Sequence, residues 1–362
     1  MIVKEIELKN FRNYKTLDLG FDEHINILYG DNAQGKTNVL ESIYMCSTTK
    51  SHRSNKDLEL IKFDKKEGHI KLHVEKKGKN YRIDVHLKKN KSKGIAINGI
   101  PIKKASDLFG VFNVIFFSPE DLSIIKSGPS ERRKFLDIEL CQLDKIYVHN
   151  LINYNKILNQ RNKLLKDIYN NSNLIETLDV WDIQLASYGK EIIKKRREFI
   201  KNINTILEPI HKKITNGEVI RIEYNNNCDE ELIYDNLLKN RDRDLKYKTT
   251  SVGPHRDDMS FISDDINLRV YGSQGQQRTA ALSLKLSEIE LVKRQIGDTP
   301  VLLLDDVMSE LDSKRQKHLL DSLDDIQTII TCTGLDDFIE NRFSMDKIYQ
   351  VDSGNIEEYI NN

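Results

Sequence analysis

The sequence predicts an α/β fold: a mixed sheet with a β-rich N-terminal lobe, interrupted by an inserted α-helical arm. Three observations predict it. Apolar residues alternate with the two-residue period of strands in the first third, recur at seven-residue spacing in the middle, and return to short apolar runs between helical stretches in the last third. At 362 residues the chain has room for about two domains and a sizeable core.

The strands come first. Ile2, Ile6 and Leu8 sit at near-alternating positions, and Leu17, Leu19 and Phe21 alternate strictly. Further strands are predicted at His69–Val74, Tyr81–Leu87 and Ile95–Ile97, the last followed by Asn98-Gly99, a type I′ hairpin signal. In the middle, Leu140, Tyr147 and Tyr154 recur seven apart, with Leu143, Ile157, Leu164 and Ile168 as companions and Asn150 and Arg161 interrupting the seam. After the polar break Asn170-Asn171-Ser172-Asn173, a second helix carries Leu178, Leu185, Ile192, Phe199 and Ile206. Two such helices suggest an antiparallel hairpin, either projecting as an arm or packed on the globular core. Pro209 and Asn216-Gly217 are expected to end the second helix. The last third predicts a helix over Gln276–Gln295, a buried strand over Val301–Leu304, a helix over Lys314–Leu323 and a strand over Thr328–Thr331. The expected division is 1–125, 126–215 and 216–362, with the second boundary lying between 215 and 250.

Composition narrows the class. The 56 basic and 56 acidic residues balance, so net charge points to no partner. Their distribution is uneven: residues 62–104 hold 14 Lys/Arg against 4 Asp/Glu, an excess of ten, while Asp305, Asp306, Glu310 and Asp312 gather near the end. The run includes Lys65, Lys66, Lys76, Lys77, Lys79, Lys88, Lys89, Lys91 and Lys93, which reads either as a solvated face or as a backbone-directed, sequence-blind DNA surface. Cys46, Cys141, Cys228 and Cys332 are scattered without a C-x-x-C pair, offering neither a zinc site nor a disulfide framework. The N-terminus lacks the apolar core of a signal peptide, and no apolar run reaches 18 residues. A soluble cytoplasmic protein is expected.

The chemistry begins at Gly30-Asp31-Asn32-Ala33-Gln34-Gly35-Lys36-Thr37, a complete G-x-x-x-x-G-K-T between the apolar strand Ile25–Tyr29 and a helix over Thr37–Tyr44. Its glycines let successive backbone N–H groups point at phosphate oxygens, and the helix N-terminus adds positive potential. Lys36 is placed to reach the β- and γ-phosphates of ATP, and Thr37 to offer a hydroxyl to Mg²⁺. The run Leu302-Leu303-Leu304-Asp305-Asp306 ends a buried strand in two carboxylates. Asp305 is expected to hold Mg²⁺ and Asp306 to orient or deprotonate the attacking water. Ser273-Gln274-Gly275-Gln276-Gln277-Arg278 opens the helix before that strand; Ser273 is either a plain helix cap or part of an anion site made by Ser273, Gly275 and Gln276.

The order of P-loop, long insertion, Ser-x-Gly-Gln string, Walker B strand and Ser309-Glu310-Leu311-Asp312 resembles that of ABC-type ATPase heads. In that class the signature helix faces a partner's nucleotide, which implies two ATPs sandwiched in a homodimer. More narrowly, the chain is identified as a member of the RecF family of bacterial recombination mediators, related to Rad50 and SMC heads. The motifs are Leu8-Lys9-Asn10-Phe11-Arg12-Asn13-Tyr14, the P-loop with Asn38 and Glu41, Ser51-His52-Arg53, Phe117-Ser118-Pro119-Glu120-Asp121-Leu122, Arg132-Arg133-Lys134-Phe135-Leu136-Asp137 and Gly253-Pro254-His255-Arg256-Asp257-Asp258. The resemblance implies ATP-dependent dimerisation on DNA, single-stranded or duplex. It also implies action with RecR and RecO to place RecA at gaps, in DNA replication, repair, recombination and the SOS response. It further implies contacts from Asn38 and Arg53 to nucleotide; Arg12 and His52 are either ligand contacts or ordinary charge, Arg256 is unassigned, and Phe11 and Tyr14 are expected to pack inside the lobe.

Departures from the wider pattern point to a slow switch instead of a motor. The signature reads Ser-Gln-Gly-Gln, Walker B ends in Asp-Asp, Thr331-Cys332-Thr333 stands where a switch histidine would follow, and Glu120 is the nearest Q-loop candidate. Two other functions compete: a transporter ATPase subunit, which needs a groove for a membrane partner, and a Rad50/SMC-like structural ATPase, which needs far longer coiled coils.

Overall fold

The computed structural model describes residues 1–54, 56–169, 171–215, 217–323, 325–335 and 345–359. The chain forms two compact units, Met1–Asp121 with Leu282–Asn362, and Leu122–Ala281.

The first unit is built on two sheets. One is antiparallel, in the order Tyr14–Gly20, Ile2–Phe11, Glu67–Lys76, Lys79–Lys88, Gly94–Ile97, Ile100–Pro101. Asn98 (φ 53°) and Gly99 (φ 79°) make the expected two-residue turn between the last two strands. The other sheet is mixed, in the order Asn355–Glu358, Lys347–Asp352, Ile25–Tyr29, Thr328–Cys332, Val301–Asp305, Val114–Phe117, with all pairs parallel except the first. The helix Lys36–Thr48 touches strands of both sheets. That position explains why it is buried on nearly every side, with Val39, Leu40, Ile43 and Cys46 wholly inside. Its core joins Ile6, Phe11, Tyr14, Leu28, Leu72, Ile83, Leu303 and Ile329. Phe11 and Tyr14 are fully buried, as expected.

The second unit contains the helical hairpin and a three-stranded antiparallel sheet, Ile266–Asn267, Asp258–Ser263, Ile220–Asn225. The heptad positions Leu178, Leu185, Ile192, Phe199 and Ile206 are all buried along one 38-residue helix, Leu178–Thr215. Two details differ from the sequence expectation. Leu140 and Tyr147 belong to separate helices, Pro129–Leu143 and Lys145–Asp167, because Asp144 breaks the run and accepts hydrogen bonds from the Ile146 and Tyr147 N–H groups. Pro209 does not end its helix. The buried stripe continues through it from Ile203, Ile206 and Leu207 to His211 and Ile214, and that packing outweighs one missing backbone donor. The helix stops at Thr215; Gly217 then takes a φ of 124°, and its N–H closes on the Lys212 carbonyl. Asn170 and Asn216 lie outside the described residues.

Of the residues that interrupt the hairpin seam, Arg161 is wired into a buried polar cluster, and other buried arginines of the unit are paired in the same way. Buried Arg161 donates to Asp182 (2.6 Å), Asp244 (2.7 Å) and Thr250 (2.9 Å). Arg196 reaches Asp137 (2.8 Å), Asp257 (3.3 Å), the Tyr147 hydroxyl (3.0 Å) and the Pro254 carbonyl (2.7 Å). Arg132 pairs with Asp258, 2.6 Å from Nε, and Arg133 donates to the Asp257 carbonyl at 2.7 Å. The strings 132–137 and 253–258 are thereby two halves of one polar network inside this unit. Such a network fixes one packing arrangement, since removing a single partner strands a buried charge.

Candidate nucleotide site

The phosphate loop lies at the C-terminal end of the strand Ile25–Tyr29, where a parallel sheet opens toward ligands. Gly30 (φ 147°) and Gly35 (φ 120°) are required there. A Cβ on Gly30 would stand 2.3 Å from the Val351 carbonyl oxygen; one on Gly35 would stand 2.6 Å from Asn13 Nδ2 and 2.7 Å from the Tyr14 hydroxyl. Ala33 also adopts a positive φ, 65°. Asp31, Asn32 and Ala33 are exposed.

The loop is braced from both flanks. Asn13 Nδ2 donates to the Gln34 carbonyl at 2.9 Å and the Tyr14 hydroxyl to the Gly35 carbonyl at 3.1 Å. On the other side the Ser353 N–H donates to Gln34 Oε1 at 2.6 Å, and the Gly354 N–H to the Gln34 carbonyl at 3.1 Å. Sequence reasoning assigned no bracing role to Asn13, Ser353 or Gly354, because nothing local in 353–354 points 319 residues back.

The charged groups converge. The Lys36 ammonium curls onto the carbonyls of Gly30 and Asp31. Burial lowers its pKa, while Asp306 and Asp305 oppose the shift. The Thr37 hydroxyl donates to Asp305 Oδ1 at 2.8 Å, and the Thr331 hydroxyl to the same oxygen at 2.7 Å. Thr331 also accepts from the Asp306 N–H at 3.0 Å, so one residue holds both carboxylate positions. Asp306 has a φ of 53° and sits at the strand end, half-buried. Burial, reinforced by Asp305, raises its pKa, with Lys36 pulling the other way. A carboxylate moved toward neutrality is a better proton acceptor at physiological pH.

The neighbouring basic residues divide. Arg12 makes a two-point ion pair with the fully buried Glu41, Nε to Oε2 at 2.8 Å and Nη2 to Oε1 at 2.6 Å, and donates to the Glu59 carbonyl at 2.9 Å. Burial acts to raise the Glu41 pKa, but hydrogen bonds from Arg12 and Ser51 outweigh it and hold the carboxyl below its ordinary range. His52 packs on Phe116, ring centroids 4.0 Å apart, and edge-on to Tyr44. Arg53 is exposed and donates to Asn38 Oδ1 at 3.2 Å; Asn38 in turn donates to Asn13 Oδ1 at 2.8 Å. Glu120 is exposed in the turn Pro119–Asp121, directly after the strand beside Val301–Asp305.

Ser273, Gly275 and Gln276 belong to the second unit, at the start of the helix Gln274–Ile296. Ser273 and Gln276 cap each other: the Gln276 N–H donates to the Ser273 hydroxyl at 3.2 Å and the Ser273 N–H to Gln276 Oε1 at 3.0 Å. Ser273 and Gln274 are exposed, as is Tyr271, and so are Ser309, Glu310 and Asp312 in the first unit. Arg256 is exposed and donates to the Thr250 carbonyl within the second unit.

A phosphate loop on a mixed sheet, with a paired-carboxylate strand and a capped Ser-Gln-Gly-Gln helix, defines an ABC-type ATPase head of the RecF/RecN/SMC N-terminal class, whose family model matches residues 2–357. Within that class the chain belongs to the RecF family. The DNA replication and repair protein RecF of Lachnospira eligens is 62% identical over 98% of this chain and 99% of its own length. That of Clostridium botulinum strain ATCC 19397 is 49% identical over 99% of this chain and all of its own. A solved structure of the recombination mediator protein RecF with ATP, in the RecFOR pathway, is 40% identical, covers 99% of this chain and 97% of that one, and superposes with a TM-score of 0.93. The Pyrococcus furiosus Smc head is 16% identical, covers 99% of this chain and 95% of that one, and has a TM-score of 0.57, a likeness of fold alone. Among the described residues no helix is long and apolar enough to cross a membrane.

Proposed function

We propose that this chain is an ATP-switched, DNA-binding repair mediator: two heads pair across ATP on DNA and, with RecO and RecR, help place RecA at gaps. The observation that supports it most is the joining of Thr37 and Asp305 through a 2.8 Å hydrogen bond beside the Lys36 ammonium. The donor set fits the cofactors. Gly30 and Gly35 let the loop pack against Val351, Asn13 and Tyr14 where a Cβ would clash, and the hydroxyl of Thr37 and carboxylate of Asp305 are the hard oxygen ligands that Mg²⁺ takes. Bound Mg²⁺ neutralises charge on the β- and γ-phosphates. Lys36 exchanges its two carbonyl partners for phosphate oxygens, Asn38 and Arg53 flank the nucleotide, and Asp306 orients water or takes its proton. Ser273, Gly275 and Gln276 complete the partner's site in a homodimer. With a short Asp306 carboxylate and Thr331-Cys332-Thr333 where a histidine would follow, hydrolysis is slow and times release. The protein works in the cytoplasm, with residues 126–215 serving as an arm.

For DNA, the basic stretch divides into two groups. Lys65, Lys66, Lys88 and Lys89 are exposed at one end of the strand pair, where the Lys89 N–H donates to the Lys66 carbonyl at 2.9 Å. Lys77 and Lys79 sit at the other end, about 30 Å away along ten-residue strands. Lys71 and Lys93 are already paired with Glu7 and Asp57. The first group is the better phosphate surface. If binding engages about five phosphates, log K falls with log salt at a slope of about −4.5. Changing Lys65, Lys66, Lys88 and Lys89 together to Gln is expected to flatten it by about 3.6. An unaltered slope, with binding still ATP-dependent, would move the DNA surface elsewhere; DNA binding indifferent to ATP would overturn the switch itself.

A further inference from the structure

The outward face of the antiparallel sheet carries a cluster that the nucleotide site does not use. Strand pairing sets His69 directly opposite His86, and Glu67 opposite Lys88. Residues two apart share a face, so Glu67, His69 and His86 stand together, while Ile70, Leu72, Val85 and Leu87 point into the core. The two rings stack with centroids 3.9 Å apart and planes inclined at 24°. Glu67 Oε2 lies 3.0 Å from His86 Nε2, and Glu67 Oε1 lies 4.0 Å from His69 Nε2. One donor atom from each of the three residues falls within 4.8 Å of the others.

We propose that Glu67, His69 and His86 form a binding site for a divalent transition-metal cation of the zinc class. Tetrahedral zinc, with bonds of 2.0–2.2 Å, requires ligand atoms about 3.4 Å apart. The observed 3.0 Å from Glu67 Oε2 to His86 and 4.0 Å from Glu67 Oε1 to His69 lie on either side of that value, and ligation requires the stacked rings to turn until one ion lies in both ring planes. Two imidazoles and one carboxylate select zinc, copper or nickel over the hard, oxygen-seeking Mg²⁺ and Ca²⁺. Three protein ligands leave a fourth position for water. Lys9 stands opposite His69 on the adjoining strand, and Lys71 is held by Glu7; both face the cluster and limit its affinity to that of an exchangeable ion. The ion would tie the two strands together beside the exposed lysines Lys66, Lys88 and Lys89.

The test is titration of the metal-stripped full chain with Zn²⁺, and with Co²⁺ as an absorbing probe, in the absence of nucleotide. The expected result is one equivalent per chain, with Co²⁺ giving the intense visible bands of four-coordination. His86→Ala and His69→Ala are each expected to weaken binding at least about tenfold, and Glu67→Gln to weaken it less. Affinity is expected to fall with decreasing pH, because protons compete with the metal for the ligand atoms. Asp305→Asn, which alters the oxygen site, and Cys228→Ser, which removes the half-buried thiol, are expected to leave the stoichiometry unchanged. Circular dichroism shows whether the histidine variants, all at solvent-facing positions, remain folded. Zinc bound as tightly by folded His69→Ala/His86→Ala as by the parent would overturn the assignment, and so would saturation that vanishes in Cys228→Ser. Failure of the parent to bind zinc would also overturn it, leaving the cluster a surface hydrogen bond between Glu67 and His86.

Discussion

Replacing Thr331 by Val tests the wiring of the paired carboxylates. The side chain is buried and Val keeps its shape and β-branching, so no cavity opens and the strand preference is retained. Two hydrogen bonds go: the hydroxyl's donation to Asp305 at 2.7 Å and its acceptance from the Asp306 N–H at 3.0 Å. The first has a charged acceptor, an interaction contributing about 1.5–3 kcal/mol. The second matters less, because the same N–H also reaches the Thr331 carbonyl at 3.1 Å. A net loss of about 2 kcal/mol is expected in denaturant unfolding of the nucleotide-free protein. Asp305 then keeps only the Thr37 hydroxyl on that oxygen, and a carboxylate freed to shift by about 1 Å costs ten- to hundredfold in turnover. Mg²⁺-ATP hydrolysis and equilibrium ATP binding are measured side by side. ATP binding through Lys36 is expected to persist while turnover falls, and Thr331→Ser, which restores the hydroxyl, is expected to recover most of it. Unchanged turnover and stability in Thr331→Val would refute the claim that this residue positions Asp305.

Further outcomes follow from the same geometry. Lys36→Ala removes the ammonium set against the phosphates, and calorimetry is expected to detect no ATP binding. Asp306→Asn is expected to bind ATP yet hydrolyse it far more slowly and accumulate as a dimer; Asn tolerates the φ of 53°, so the backbone need not change. Because the Asp306 pKa is raised and the carboxylate is the working form, the acid limb of turnover is expected above the ordinary aspartate range of about 3.9, with activity lost as pH falls through it. In the second unit, burial lowers His211 and His255 to about 4, below the roughly 6.5 of an unfolded imidazole. The unfolded chain therefore binds these protons first, so the stabilisation is complete above about pH 6.5 and is lost as pH falls toward 4, on the order of 3 kcal/mol for His211. Unfolding midpoints across that window check it.

What the sequence revealed was what its signals encode locally. The P-loop, the apolar Walker B strand and the Asn98-Gly99 turn were legible because neighbouring residues carry the whole message. Arg161 looked like an interruption because its partners Asp182 and Asp244 lie 21 and 83 residues away. Thr331 is legible only as the end of a strand and the first residue of the Thr331-Cys332-Thr333 string where a histidine would follow, since its contact with Asp305 depends on parallel pairing. Pro209 was read as a stop because local propensity carries no knowledge of the buried stripe beyond it. The strand Lys347–Asp352 and the edge strand Asn355–Glu358, rich in polar residues, have too little alternation to stand out, yet the turn between them supplies Ser353 and Gly354 to the phosphate loop. The His69–His86 pair exists only through register; a slip of one residue would place the two rings on opposite faces.

The central claim, that ATP drives two heads together through the helix opened by Ser273, is tested most directly by sedimentation velocity of the chain with and without ATP, repeated for Ser273→Arg. The parent is expected to shift from monomer to dimer with ATP. Ser273→Arg is expected to retain ATP affinity, since its own P-loop is untouched, and to remain monomeric. Mixed with Lys36→Ala, it is expected to recover part of the hydrolysis, because one composite site in that pair keeps both halves intact. A Ser273→Arg chain that dimerises normally with ATP would contradict the account and leave Ser273 a helix cap.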